Sequence, residues 1–480
     1  MFNDSVQAFY RVKIIGEWYG QDHRSGHPVL VNAEGRRYFY IMNYHGLERV
    51  EADYPHLTDP SKYEHFTCFV PGTTYDTART HLDRTSEGKI SYRWKPHTDP
   101  LNRRRQDELV RLGKITADEG LWRLRDVESG TLALVDPASV FWNNFRKRWI
   151  MIAYEFTGGI WFFEGDTPTG PWVYGEKIVS HEHYDFYNVG QHPLFDQDNG
   201  RLIYFEGTYT TGFSGNTHET PLYDYNQIMY RLALDDRRLT LPAPVYHLND
   251  RHAQQKYQMR ESVDSLNLWE RIDKIPFYAI PPYGKNDDFI PIFGNPTENG
   301  FVLTAESQGN KRPIFYALPA EIPSDPVSGT WLCRATQGVN SQQDVHLDLM
   351  KNGDQVEGPL VRKGTYREGK LDLVVEVFDY ILTGTLKDGN LTGEYRKLDG
   401  KDTGQWTGKR IRAANRFNHA SSSVPLYEYK DSDGRFLYSV DSTLAGLAMK
   451  RTPQPICRVW PNPSSVIALD YKTRPVPLVP

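Results

Sequence analysis

Carboxylates and imidazoles recur beside short apolar runs, at places from which side chains of several strands could meet: Asp22, Asp136, Glu155 and Glu206, with His27 and His192. Two carboxyl groups set apart by a water do general acid/base work at a glycosidic bond, one protonating the leaving oxygen and the other activating water. An imidazole does the same work near neutral pH. Around them stand groups that grip a polyol. Trp18 and Tyr187 offer a flat apolar face with a polar edge, Arg125 a fork for a carboxylate, and Asn226 and Asp288 short polar arms. Arg125 reads equally as one half of an internal ion pair with Asp126. Two loops are densest: one holds Glu17, Trp18, Tyr19, Asp22 and His23, the other His181, Glu182, His183, Tyr184, Asp185, Tyr187, Asn188 and His192. The His-x-His spacing of the second comes without an HExxH-type helix, so no metal or cofactor is expected for catalysis. A structural divalent cation in a central channel stays open.

What could position such groups is a repeated hairpin. GQHPLFDQDNGRLIYFEGTYT, from Gly190, has a His-Pro opening, an apolar strand, an Asp-Gln-Asp-Asn-Gly turn and a second apolar strand carrying Glu206. The same grammar returns in HPVLVNAEGRRYFYIMNYH from His27, DPASVFWNNFRKRWIMIAYE from Asp136, IPIFGNPTENGFVLTAE from Ile290 and VPLYEYKDSDGRFLYSVD from Val424. These five copies end at Asn43, Glu155, Glu206, Glu306 and Asp441. Hairpins at a long period mark a propeller, in which each small antiparallel sheet buries its faces only against its neighbours. The expected fold is therefore all-β, a five-bladed β-propeller, with a β-sandwich as the alternative. Equivalent blade positions converge on one channel; a sandwich gives little reason for a polar residue at the same place in every hairpin.

Bulk properties narrow the function. The chain has 480 residues, enough for a large domain and a small one. Aromatics make up 13%, with 30 Tyr and 11 Trp, which suits an all-β core and a sugar-binding surface alike. A net charge of −5 leaves no basic footprint for nucleic acid and no polybasic membrane patch. No apolar run is long enough to span a bilayer, and MFNDSVQAFYRVKII lacks the pattern of an export signal. The chain is then either secreted or periplasmic with its signal already removed, or cytoplasmic. Cys68, Cys333 and Cys457 are widely spaced and odd in number, so they read as buried apolar residues rather than a disulfide framework.

Between the first two hairpins, DPLNRRRQDELVRLGKITADEGLW reads as a helix with Asp99 as N-cap, Pro100 after it, and Leu109, Val110 and Leu112 as its apolar stripe. Its Arg-Arg-Arg run reads as a solvated face. From about residue 328 the character changes to short alternating strands with turns at KNGD, REGK, KDGN and LDGK, each using a Gly for positive φ. This segment looks like a small antiparallel barrel or sandwich, similar to lipocalin-like modules. A propeller-like hairpin resumes after it, so the organisation expected is a discontinuous propeller over 1–327 and 412–480 with an inserted β domain at 328–411. The last unit should close the ring against the N-terminal strand.

After the second hairpin stands DTPTGPW, residues 166–172. It resembles the turn common in the five-bladed propellers of glycoside hydrolase family 43, the arabinanase and xylosidase group. The resemblance implies three carboxylates at the channel mouth: a first-blade general base, a second-blade Asp that orients the acid, and a third-blade Glu general acid. Carried onto this chain, Asp22 answers to the first, Asp136 or Glu155 to the second and Glu206 to the third. The chain departs from the pattern at Gly26-His27-Pro28, where the family has Asp, and at Gln191-His192-Pro193, where it has Glu-Gly-Pro. Those two histidines, with Tyr187 and Arg125, fit a polysaccharide lyase instead, with a His or Tyr base and an Arg that neutralises a uronate. A carbohydrate-binding propeller without chemistry is the third reading. In all three the partner is an oligosaccharide or polysaccharide.

Overall fold

Alternation decides the scaffold. In the strand Arg148–Glu155, Trp149, Met151 and Ala153 enter one hydrophobic core while Ile150 and Ile152 enter a second. The neighbouring strand Gly159–Gly165 does the same, with Trp161 and Phe163 on one side and Ile160 and Phe162 on the other. Successive strand residues point to opposite faces, so a sheet with both faces apolar must lie between two neighbours. Each of these large side chains contributes about 1.5–3 kcal/mol on leaving water. This is the packing a propeller requires.

The computed structural model describes residues 2–9, 26–43, 45–155, 159–181, 185–210, 225–249, 255–259, 271–282, 289–292, 306–307, 310–311, 315–320, 325–337, 344–358, 361–375, 380–413, 422–444, 446, 448–469 and 476–478. They form an all-β chain of many sheets, consistent with a propeller-like fold. The first sheet has six strands, in the order Val476–Pro477, Val29–Ala33, Arg36–Asn43, Gly46–Glu51, Glu64–Thr67 and Arg93–Pro96. Its outermost pairing joins the two ends of the chain, Val31 opposite Pro477 and Asn32 opposite Val476. The second sheet runs Asp136–Asn143, Arg148–Glu155, Gly159–Gly165, Tyr174–Ser180 and the short strand Arg125–Asp126. The third has Asp185–Gln191, Leu202–Thr210 and Tyr225–Ala233.

The fifth hairpin read from the sequence forms, Val424–Asp431 pairing with Phe436–Ser439, but inside a larger sheet, and most of the fourth lies outside the described residues. Ala243–Asn249, Gln255–Gln258 and Arg271–Ala279 share a seven-stranded sheet with Val424–Asp431, Phe436–Ser439, Met449–Arg451 and Cys457–Pro461. Ile290–Ile292 pairs with Phe315–Ala317, and residues 293–305 lie outside the described residues. Asp441 is an exposed turn residue whose carboxylate accepts from the Thr443 amide.

Gly329–Ala413 folds into a closed eight-stranded barrel with its own core, including Trp331, Leu349, Val356 and Leu371. Its turns follow the sequence. Glu368 and Gly369 both have positive φ, as do Asp388 and Gly389, the two-residue hairpin geometry whose twist matches the flanking strands. The strands on either side of the barrel in sequence pair with each other, Phe277 with Pro461 and Tyr278 with Trp460.

DTPTGPW proves to be a structural lock. Asp166 and Arg148 form an ion pair with both side chains almost fully buried, and the Tyr246 hydroxyl from the seven-stranded sheet donates to Asp166 at 2.8 Å. Trp172 fills the core between the first and second sheets. The predicted helix spans Arg103–Arg111, and its N-cap is Asn102, whose carboxamide oxygen accepts from the Arg105 amide. Asp99 does other work, accepting from the Tyr75 amide and pairing with Arg105. The arginine run is not a uniformly solvated face: the Arg105 guanidinium lies 4.9 Å over the Tyr75 ring and Arg103 turns toward Asp136. All three cysteines are free and buried, and burial pushes the Cys68 and Cys333 thiols up to about 12. No helix among the described residues is long and apolar enough to cross a membrane.

Candidate functional site

The third sheet builds one wall of the site. In Leu202–Thr210, Ile203 and Phe205 are buried in the core, which leaves Tyr204 and Glu206 on the opposite face. The hairpin partner of Glu206 is Gly190, and the register shifts between Tyr187 and Gly190, where Asn188 takes positive φ. Such a bulge re-aims the strand next to it. The opening strand of this hairpin therefore lies before His192. The sequence Pro193–Phe195, expected as a strand, is a 3-10 turn with Leu194 95% exposed, because proline cannot donate to a ladder.

His192 sits where strand meets turn, its amide donating to the Tyr204 carbonyl. Its Nε2 lies 3.1 Å from Glu206 Oε1, a charge contact. The ring nitrogen does not point along that line and makes no hydrogen bond. Phe195 meets the imidazole edge-on, 6.0 Å between centroids.

His27 completes the cluster from the first sheet. A Cβ on Gly190 would lie 2.6 Å from His27 Nε2, so only a glycine leaves room for the imidazole there. Burial lowers the His27 pKa from 6.5, His192 adds to the lowering and Glu206 opposes it. The imidazole is thus held neutral beside a carboxylate and a second imidazole. Gly190→Ala is expected to displace His27 and cut turnover by about 10²-fold, since shifts of an ångström at reacting groups cost that much. Steady-state kinetics on a polysaccharide substrate checks it, and unchanged turnover would separate His27 from the chemistry.

Asp136, at the start of its strand, is clasped by Arg103 through two hydrogen bonds, 2.9 Å to Oδ1 and 3.1 Å to Oδ2. Asp107, on the same helix as Arg103, lies 3.5 Å from that guanidinium. Burial raises the Asp107 pKa, with Arg103 opposing and Asp136 adding. Glu155 pairs with Lys177 across the second sheet, and that ammonium stands 5.2 Å from the Trp161 ring centroid.

The remaining candidates are scattered. Arg125 lies on the edge strand of the second sheet and donates to the Gly130 carbonyl at 2.7 Å; its acidic neighbour, at 4.0 Å, is Asp118 rather than Asp126. Tyr187 is exposed and meets Tyr225 edge-on at 6.4 Å. Asn226 lies in Tyr225–Ala233 opposite Tyr209. His181 stacks on Tyr209 at 4.9 Å as a packing residue. Asp22, Trp18 and Asp288 lie outside the described residues, and Glu306 opens the short strand Glu306–Ser307. The metal-capable grouping found among the described residues, Glu51, Asp53 and His56, is at the surface, and His56 already contacts both Asp53 oxygens.

Two residues enter that the sequence did not single out. Asp196, in the turn after His192, has its pKa raised to about 6 by burial, against hydrogen bonds from the Tyr204 amide and Gln191 Nε2. An Asp in an Asp-Gln-Asp-Asn-Gly turn looks like turn chemistry, and only burial distinguishes it. Ser139 Oγ accepts from the Gln191 amide at 2.9 Å, tying the opening strands of the second and third sheets together.

No protein-family model matches the chain, and no curated protein matches it. Among solved structures, an endo-1,5-alpha-L-arabinanase from Thermotoga petrophila RKU-1 aligns over 80% of this chain and 97% of its own, at 11% identity and a TM-score of 0.20. A likeness of that size carries no argument about activity.

Proposed function

We propose that the chain is a carbohydrate-active enzyme, a glycoside hydrolase that works from His27, His192 and Glu206. The observation that carries this reading is the meeting of a neutral imidazole from one sheet with an imidazole–carboxylate pair from another. His27 takes the proton of the attacking water; the His192–Glu206 pair holds a proton for the leaving oxygen. The five recurring hairpins and the DTPTGPW turn support a five-bladed family 43-like scaffold over 1–327 and 412–480, with 328–411 inserted. The roles differ from that family in using His27 where it has a carboxylate.

Elimination is the weaker reading on electrostatic grounds. A lyase must neutralise a uronate carboxylate, yet the charged groups acting on His27 are His192 and Glu206, and Arg125 lies at a sheet edge. A carboxylate beside the base repels a uronate.

The test is to incubate the protein with plant, algal and bacterial polysaccharides, following both reducing ends and ultraviolet absorbance. Reducing ends alone are expected. Absorbance rising with them would mean elimination, and silence across the panel would favour a binding protein.

The pH dependence follows from His27. A base whose pKa is lowered in the folded chain stays neutral below pH 6.5, so the acid limb of kcat/KM should fall below 6.5. Its contribution to stability is present above the unfolded pKa and is lost as pH falls through the folded one. In an NMR titration His192→Ala should raise the His27 midpoint and Glu206→Gln should lower it further. A His27 midpoint above 6.5 would remove it as the base.

A further inference from the structure

The barrel Gly329–Ala413 is filled at one end and hollow at the other. Trp331, Leu349, Val356, Leu371 and Leu391 close the lower half. Toward the end where Asp402 lies there is a cavity of about 150 Å³. Its walls are mainly apolar, among them Val345, Leu347, Val375 and Leu382, with Arg334 also lining it. Three aromatic side chains, Tyr380, Tyr395 and Trp406, complete it.

The polar ends of those aromatics are already engaged by the protein. The Tyr380 hydroxyl donates to Asp402 Oδ2 at 2.7 Å and the Tyr395 hydroxyl to Oδ1 at 3.4 Å. Trp406 Nε1 donates to the carbonyls of Thr383, at 3.0 Å, and Glu394, at 3.2 Å. One carboxylate therefore holds both tyrosine hydroxyls. Cys333 also lines it, its thiol kept neutral by burial. A mainly apolar wall offers water few partners, and a ligand that fits it gains dispersion contacts that water does not supply.

We propose that this cavity is a binding site for a small uncharged molecule bearing one aromatic ring. Size sets the first preference: a space of about 150 Å³ is what a single benzene ring fills. The walls set the second. Tyr380 and Tyr395 already meet edge-to-face, 5.5 Å apart at 86°, and the faces and edges of the three rings offer a further ring the arrangements aromatic pairs prefer. The site lies in the barrel and does not depend on the chemistry proposed for His27, His192 and Glu206.

The test uses the full chain and fluorobenzene, followed by ¹⁹F NMR. Saturable binding is expected, at least tenfold weaker in Ala335→Leu, which fills the hollow from its lining. Leu382→Phe fills it from another strand and serves if the first variant does not fold. No saturable binding, or equal binding by both filled variants, would overturn the site. Tighter binding of 4-fluorobenzoate, which the exposed Arg334 at the lining would attract, would overturn the assignment to an uncharged ligand. Equal binding of fluorocyclohexane would overturn the preference for an aromatic ring.

Discussion

Glu206→Gln is expected to lower turnover by about 10²–10⁴-fold, the range that a positioned acid or base supplies. Gln keeps the volume of the side chain and its place opposite Gly190 on the hairpin, so the sheet and glycan binding should persist. What it removes is the charge 3.1 Å from His192 Nε2. His192→Ala should cost a comparable factor. The double variant should lose little more than either single one, because residues acting as a unit are not additive. Kinetics on a polysaccharide that yields reducing ends would check this. A Glu206→Gln enzyme with near-normal turnover, beside an inactive His192→Ala, would instead indicate an imidazole-based lyase.

Asp166→Ala is expected to destabilise the fold by about 3–5 kcal/mol without touching the candidate site. Asp166 and Arg148 are both about 1% exposed, so removing the carboxylate takes a close counter-charge from a buried guanidinium. It also takes the acceptor from the Tyr246 hydroxyl, loosening the second sheet from the seven-stranded one. The loss should appear as a lower urea midpoint with the slope unchanged. A change under about 1 kcal/mol would mean that water reaches Arg148 and that the lock is weaker than its burial implies.

The sequence alone determined the all-β class, four of the repeated hairpins and the turns of the barrel. Each of these is encoded locally: strand alternation in RWIMIAYE, and Gly at the turn positions of REGK and KDGN, leave few other conformations. It also named His27, His192 and Glu206, although it placed the strand of the third hairpin after Pro193 instead of before His192. Tertiary structure decided which candidates meet. Gly190 is an unremarkable strand residue until the first sheet brings His27 against it. Arg103 looked like part of a solvated face, and only the helix lying over the second sheet turned it to Asp136. DTPTGPW carried the resemblance to an enzyme family, yet its Asp serves burial and cohesion. Asp196 acquired a pKa of about 6 from burial, a quantity no spacing encodes. The division has one physical cause: turn and strand preferences act over a few residues, whereas desolvation and charge contact depend on segments that only the fold brings together, such as Asp166 and Tyr246 or Gly190 and His27.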